Sequence, residues 1–173
     1  PVGDRVFVTD SSYGMALYGL VDYNDTSTAA SPVTLDAGTW TTLPNDGLGA
    51  FTRRHFPPGV TSMLTAGGAI DLSELTENSS IWVRPDFTVI PSSNNASLDF
   101  RFLLGAGANQ YTLPTSFGRM DLGAGVEYRR ANIDMRLYAG DANTIDNPVY
   151  IQIRSSAAAT AVNAGMALTV LKV

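Results

Sequence analysis

Leu98-Asp99-Phe100-Arg101-Phe102-Leu103-Leu104 is the stretch that decides the fold. Leu98, Phe100, Phe102 and Leu104 fall on one side of an extended chain, and Asp99, Arg101 and Leu103 on the other. Successive side chains of a strand point to opposite faces, so this alternation describes a half-buried β-strand with its apolar side turned to a core. Gly105-Ala106-Gly107 ends it.

Outward from that strand the same pattern recurs. Ile133, Met135 and Leu137 alternate with Asp134, Arg136 and Tyr138, and Val149, Ile151 and Ile153 alternate with Tyr150, Gln152 and Arg154. Residues 166–173 set Leu168 and Val170 opposite Thr169 and Leu171. Residues 81–90 form another run, interrupted by Pro85. Proline brings no N–H to a ladder, so an edge, a bulge or a switch between sheets is expected there.

Nearer the N-terminus, residues 5–9 alternate into a turn at 10–12, and residues 15–23 are a second extended run. Residues 25–31 (DTSTAAS) read as a polar loop. Val33, Leu35 and Ala37 share a face before a kink at Gly38, with Trp40 on the resumed strand. Asn45-Asp46-Gly47, Phe56-Pro57-Pro58-Gly59 and Ser92-Ser93-Asn94-Asn95 mark turns. No stretch keeps a helical period beyond about two turns. The sum is eight to ten strands in one all-β domain over residues 1–173, a sandwich or barrel.

Composition narrows the partners. Apolar residues make up 45% of the 173 and charged residues 16%, against about 25% charged in ordinary soluble domains. So charge-poor a surface is expected to lie largely under partner protein. A net charge of −5 argues against nucleic acid or an anionic membrane as partner. Ten cations are Arg and one, Lys172, is Lys. Arg pairs bidentately and tolerates burial at interfaces, although a base-composition bias explains the skew equally well. There is no Cys, which excludes disulfides and thiolate chemistry. No apolar run approaches the ~20 residues of a membrane span, and no signal-peptide pattern is present. Pro1 is what Met removal leaves, so a complete, cytosolically made chain is expected.

Candidate chemistry is sparse. His55, the sole histidine, stands between Arg54 and Phe56, and no G-x-S-x-G motif occurs. A structural or interface role is expected for it. Asp141, Asn143 and Asp146 could offer oxygens to Ca²⁺, but their spacing is not that of an EF-hand, and Asx-rich turns are ordinary between strands. Gly105/Gly107 and Gly123/Gly125 lack the helix and the Lys of a phosphate loop and read as hairpin glycines. The acidic residues are scattered, with no pair singled out for glycoside hydrolysis. Three N-x-S/T triplets, at Asn24, Asn78 and Asn95, carry no weight without a signal peptide. A non-enzyme without cofactor is expected.

What remains is surface. Trp82, Arg84, Arg101, Tyr128, Arg136, Tyr138, Tyr150 and Arg154 are the interface candidates, since Tyr, Trp and Arg anchor protein contacts. Asp99, Asp134 and Gln152 stand on the same outward positions as partners for cross-strand pairs.

The stretch Ala37-Gly-Thr-Trp-Thr-Thr-Leu-Pro-Asn-Asp-Gly-Leu-Gly-Ala-Phe-Thr52 resembles a strand–turn segment of bacteriophage virion proteins with a trimeric jelly roll of the tumour-necrosis-factor/C1q kind. Ile70-Asp-Leu-Ser-Glu-Leu75 leading into Ser80-Ile-Trp-Val-Arg-Pro-Asp-Phe-Thr-Val89 continues the likeness. So do residues 95–104, the Gly-rich turn before Tyr111, and Gly140-Asp-Ala-Asn-Thr144 ahead of residues 149–155. The resemblance covers roughly residues 33–156. It implies a two-sheet sandwich that trimerises about an axis along its length and buries aromatics between protomers. Such modules serve as capsid decoration (cement) proteins, head fibres and receptor-binding tips of tail fibres, and none has catalytic residues to carry over.

A fibre tip normally follows a shaft, and no heptad or collagen-like repeat occurs in this chain. The expectation is therefore a virion-located, homotrimeric decoration protein that bridges major capsid protein subunits, with residues 1–31 as a candidate arm or first strands. The alternative is a tail-fibre or head-fibre module recognising a host surface glycan or protein. Trp40 and Trp82 are its aromatics to watch, although burial in the core or at a trimer axis is expected for both. A glycan-cleaving enzyme would need paired acids in a groove.

Overall fold

The structure, a computed structural model, describes residues 17–50, 54–130 and 134–173, with the backbone alone at 129–130. The strands are β1 (Leu17–Asn24), β2 (Val33–Leu35), β3 (Thr41–Thr42), β4 (Arg54–His55), β5 (Ser80–Pro91) and β6 (Ala96–Leu104). After them come β7 (Tyr111–Met120), β8 (Tyr128–Arg130), β9 (Met135–Tyr138), β10 (Tyr150–Ser155) and β11 (Ala159–Lys172). Two single-turn helices, α1 (Ser27–Ala30) and α2 (Ala142–Ile145), lie between strands.

One sheet runs β4-β1-β11-β5-β8, with β2 also on β11 and β9 also on β5; the other runs β3-β10-β6-β7. β1 and β2 lie along one strand, β11, and β8 and β9 along another, β5. Taken as two interrupted strands, they complete a nested set: first with last, β3 with β10, β5 with β8/β9, and β6 with β7. All these pairings are antiparallel. That nesting across two sheets is the jelly roll, the all-β sandwich the alternation points to.

The deciding stretch is the centre of the core. Leu98, Phe100, Phe102 and Leu104 are buried to within 1% of complete, and Phe100 meets Phe102 edge-to-face with centroids 5.0 Å apart. Phe117 of β7 closes on Phe100 and on Phe87 of the facing sheet. Val21, Val83, Val89, Leu168 and Val170 complete the opposing layer. Each such side chain contributes about 1.5–3 kcal/mol on burial.

Pro85 sits in a central strand, where its missing N–H has to be accommodated. On one side of β5, β9 pairs with Ser80–Val83 and β8 with Phe87–Val89, and Pro85 falls between them. On the other side β11 bulges between Asn163 and Gly165, next to the Pro85–Met166 pair. Gly165 has φ +136°, and a Cβ there would lie 2.3 Å from the Tyr23 carbonyl oxygen, so this bulge requires glycine. The kink at Gly38 (φ +74°) lies where the chain leaves β2 in one sheet for β3 in the other.

Three expectations need correction or restriction. Residues 25–31 are no loose loop: Asp25 is buried and accepts hydrogen bonds from Ser27 Oγ, the Thr28 amide and hydroxyl, and the Asp46 amide at 2.7–2.9 Å. The Thr28 hydroxyl also accepts from the Asn163 amide at 2.8 Å, tying α1 to the bulge. Of the two readings of residues 1–31, an arm or first strands, Leu17–Asn24 form the first described strand, with β1 paired to β11 over its whole length. The expected strand at 5–9, its turn at 10–12, the start of the run at 15–23, and Ile133 lie outside the described residues.

Candidate interaction surfaces

Strand registers line up the outward side chains of the larger sheet in rows. Tyr18, Leu171, Ser80 and Tyr138 form one row; Leu20, Thr169, Trp82 and Arg136 form the next; Asp22, Ala167 and Arg84 follow. The first two rows are rich in apolar groups facing solvent: Tyr18 is 62% exposed, Tyr138 53% and Leu20 40%. Trp82 is half-buried, with the Arg136 guanidinium 4.9 Å from its ring centroid. A 340 Å³ hollow lined by Leu20, Asp22, Trp82, Arg84, Asp134 and Thr169 separates these rows from the charged one. An antiparallel sheet facing water normally turns polar side chains outward, so a contiguous aromatic and aliphatic patch there has the character of a contact surface.

The outward face of the smaller sheet is organised differently. Trp40 lies 4.3 Å from the Arg101 guanidinium carbon and 4.7 Å from that of Arg154. Arg154 pairs with its cross-strand neighbour Asp99 at 2.7 Å, and Asp99 accepts a second bond from Ser116 Oγ at 2.9 Å. Arg101 donates from Nε to Gln152 Oε1 at 2.8 Å, and Gln152 in turn donates to Thr42. Burial and then the nearby Arg154 charge hold the Arg101 guanidinium below its usual pKa range. Among the described residues no carboxylate is paired with it. A 260 Å³ cleft opens beside this cluster, lined by Trp40, Asp99, Pro114, Thr115, Ser116 and Arg154.

The interface candidates thus divide. Trp82, Arg84, Arg136 and Tyr138 share the larger sheet's outward face; Arg101, Tyr150 and Arg154 share the other. Tyr128 belongs to neither: it is buried within the protomer at 7% exposure, and its hydroxyl accepts from the Leu122 amide. Trp40 and Trp82 both lie on outward faces, so of the two expected kinds of burial, core or trimer axis, the core does not hold for either. Tyr18, Leu20 and Leu171, central to the apolar patch, carried no signal in the sequence, because they join Trp82 and Tyr138 only through strand pairing.

The remaining candidates lie outside both faces' aromatic groups. His55 is exposed on β4, a short edge strand. Asp141 caps α2, accepting from the Thr144 amide and hydroxyl at 2.7 Å, which holds its carboxyl below the usual range. Asn143 donates to the Asn109 carbonyl and accepts from the Ala106 amide, clamping the β6–β7 turn. Of the oxygens in the Ca²⁺ reading of Asp141, Asn143 and Asp146, Asp141 Oδ1 is engaged by Thr144 and Asn143 Oδ1 by the Ala106 amide. Among the described residues no group of three or more His, Asp or Glu is placed to hold a metal, and no helix is long and apolar enough to cross a membrane.

No protein-family model matches the sequence, and no curated protein matches it. Among solved structures the chain is similar to "PRD1 vertex protein P5", with 16% identity and a TM-score of 0.44 over 93% of this chain and 99% of that one. It is also similar to "Structure of Eiger TNF from S. frugiperda", with 10% identity and a TM-score of 0.45 over 92% of this chain and 94% of that one. The fold assignment rests on the nested strand pairing above.

Proposed function

We propose that this chain is a structural protein of a bacteriophage particle, a non-enzymatic homotrimer that decorates the capsid and bridges major capsid protein subunits. The carrying observation is the apolar patch on the larger sheet. Tyr18, Leu20, Trp82, Tyr138 and Leu171 sit on the solvent side of a sheet whose other side already forms the core. In a lone protomer that patch costs hydration free energy at about 25 cal/mol per Å². A stable self-contact covering roughly 800 Å² per partner would relieve it. The resemblance of residues 33–156 to trimeric virion jelly rolls supports three copies, and the few charges of the chain fit a surface mostly covered in an assembly.

Two measurements test the proposal in order. The solution mass of the full chain is expected at three times its 18.4 kDa; a clean monomer overturns the trimer. Immunogold labelling of intact particles is then expected on the shell, and labelling confined to the tail rejects the decoration role. A second reading, a fibre module that recognises a host surface glycan or protein, is favoured by one observation, the cleft beside the outward-facing Trp40.

A further inference from the structure

We infer that Arg84 is a charged anchor of the contact between protomers, its guanidinium paired with the Asp22 carboxylate of the next copy. The inference rests on the trimer reading and says what holds its copies in register. It starts from charges left unpaired beside the apolar patch. The row next to that patch holds Asp22 on β1 and Arg84 on β5, on either side of Ala167 of β11. Asp134 lies just before β9, whose Met135 pairs with Val83, and it borders the same hollow. Among the described residues none of these three charges enters an ion pair. Arg136, in the apolar rows, is engaged: it lies on the Trp82 ring and donates to Ser80 Oγ at 3.3 Å. The smaller sheet is the contrast, since Arg154 there finds Asp99 on the neighbouring strand at 2.7 Å.

Covering the patch changes the cost of these charges. Asp22 and Arg84 line both the 340 Å³ hollow on the apolar side and a 450 Å³ hollow on the other. A protein surface laid over Leu20 and Trp82 therefore closes over them as well. A charge taken out of water without a partner is costly, and a well-placed opposite charge offsets much of that cost. The symmetry of a ring then names the partner. Its 12 residues make β5 about 40 Å long, and the path β4-β1-β11-β5-β8 is about 19 Å wide. The long direction of the sheet is thus that of its strands, and rotation about an axis in that direction leaves every row at its own height. Apolar rows then meet the neighbour's apolar rows, and the Asp22/Arg84 row meets its counterpart. Tyr18 and Leu20 bring β1 into the contact, and Asp22 is the next outward residue of that strand. Trp82 does the same for β5, where Arg84 follows. A carboxylate from the neighbour's β1 so arrives at an Arg fork that it can meet bidentately, and the two hollows give the pair room.

The test mixes charge-reversed variants of the full chain, with sedimentation reading the assembly and native mass spectrometry its composition. Wild type is expected as a trimer. R84D and D22R are each expected to weaken it about a hundredfold or more, because like charges then face each other across the contact. The double variant R84D/D22R is expected to regain the trimer. Mixing R84D with D22R, each monomeric alone at the chosen concentration, is expected to give mixed trimers, in which two of the three contacts carry matched charges. Pairing inside one protomer would let the double variant assemble but not the mixture, and would overturn the inference. So would R84D assembling as well as wild type, or D134R rescuing R84D in the mixture where D22R does not. Circular dichroism checks the fold of each variant. Should R84D unfold, R84Q decides: it is expected to weaken the trimer about tenfold or more, and no change overturns the anchor. A monomeric wild type overturns the trimer reading itself and this inference with it, whereas a trimeric wild type indifferent to these changes overturns the inference alone.

Discussion

The two outward faces of this jelly roll solve the same problem in opposite ways. Each carries one Trp with Arg against it, and each belongs to a sheet whose other side is core. On the smaller sheet Trp40 contacts two guanidiniums, and the polar groups around it pair with one another: Arg154 with Asp99, Asp99 with Ser116, Arg101 with Gln152, and Gln152 with Thr42. That face is finished within the protomer. On the larger sheet Trp82 has, among the described residues, one cation, Arg136, and the neighbouring rows leave Tyr18, Leu20 and Tyr138 to water. The difference teaches that aromatic-plus-Arg composition alone does not mark an oligomer contact. What marks it is whether the surrounding positions are satisfied within the protomer.

The largest effect expected from breaking this contrast is on assembly. L20E in combination with Y18E puts two carboxylates into the apolar rows and is expected to turn the trimer into a monomer, a threefold fall in mass by sedimentation. Y150E, a comparable change on the smaller sheet, is expected to leave the mass unchanged. If Y150E dissociates the assembly and L20E/Y18E does not, the faces have been assigned the wrong way round.

A smaller effect separates the two tryptophans. In the dissociated background, W40A loses two cation–π contacts and is expected to cost about 1–2 kcal/mol, against about 0.5–1 kcal/mol for W82A with one. Thermal melts would show this as about 2–4 °C per kcal/mol for a chain of this size. Equal losses would mean that Trp40 gains nothing from its second guanidinium. Smaller again, D99N removes the anion from Arg154 and is expected to cost about 0.5–1 kcal/mol in low salt, measured by urea unfolding. The loss should shrink at high salt, because the pair is partly exposed, with side chains at 39% and 23%.

The core was far more legible than either face. Period-two alternation needs only neighbouring residues, so Leu98 to Leu104, Val149 to Ile153 and Leu168 to Val170 could be oriented directly. The start of β11 was missed because residues 156–165 are mostly Ala, Ser, Thr and Asn. Nothing local favours a strand there; pairing to β2 and β5 imposes it. Residues 25–31 were misread for the related reason that Ser, Thr and Asp signal turns by local bonding, whereas Asp25 is bonded also by Asp46, far along the chain. Of the interface candidates, Trp82, Arg84, Arg101, Arg136, Tyr138, Tyr150 and Arg154 lie on outward strand positions and Tyr128 does not. Their division between two faces depends on which strands share a sheet, and Tyr18 and Leu20 join Trp82 only across β11.

The smallest expected effect concerns the ends of the sandwich, which belong to neither face. Asp46 is pushed up by burial, but hydrogen bonds from the Thr26 side chain and from backbone amides outweigh this and hold it below the ordinary 3.8. Glu74 accepts from the Thr61 amide and hydroxyl and the Ser62 amide, which hold it below 4.5. Asp141 is lowered by Thr144 in the same way. A carboxylate whose pKa is lowered by folding contributes stability above its unfolded value and loses it as pH falls through the folded value. The connections should therefore loosen as pH drops from about 5 to about 3, while the sheets stay closed. Hydrogen exchange, corrected for intrinsic rates, is expected to accelerate first at the amides of Thr61, Ser62, Leu48 and Thr144, and later at Phe100 and Ile153. E74Q and D141N are expected to remove the pH dependence at their own partners alone. If Phe100 and Ile153 accelerate together with Thr61 and Thr144, the ends and the sheets open as one unit, and the depressed carboxylates stabilise the whole sandwich rather than its connections.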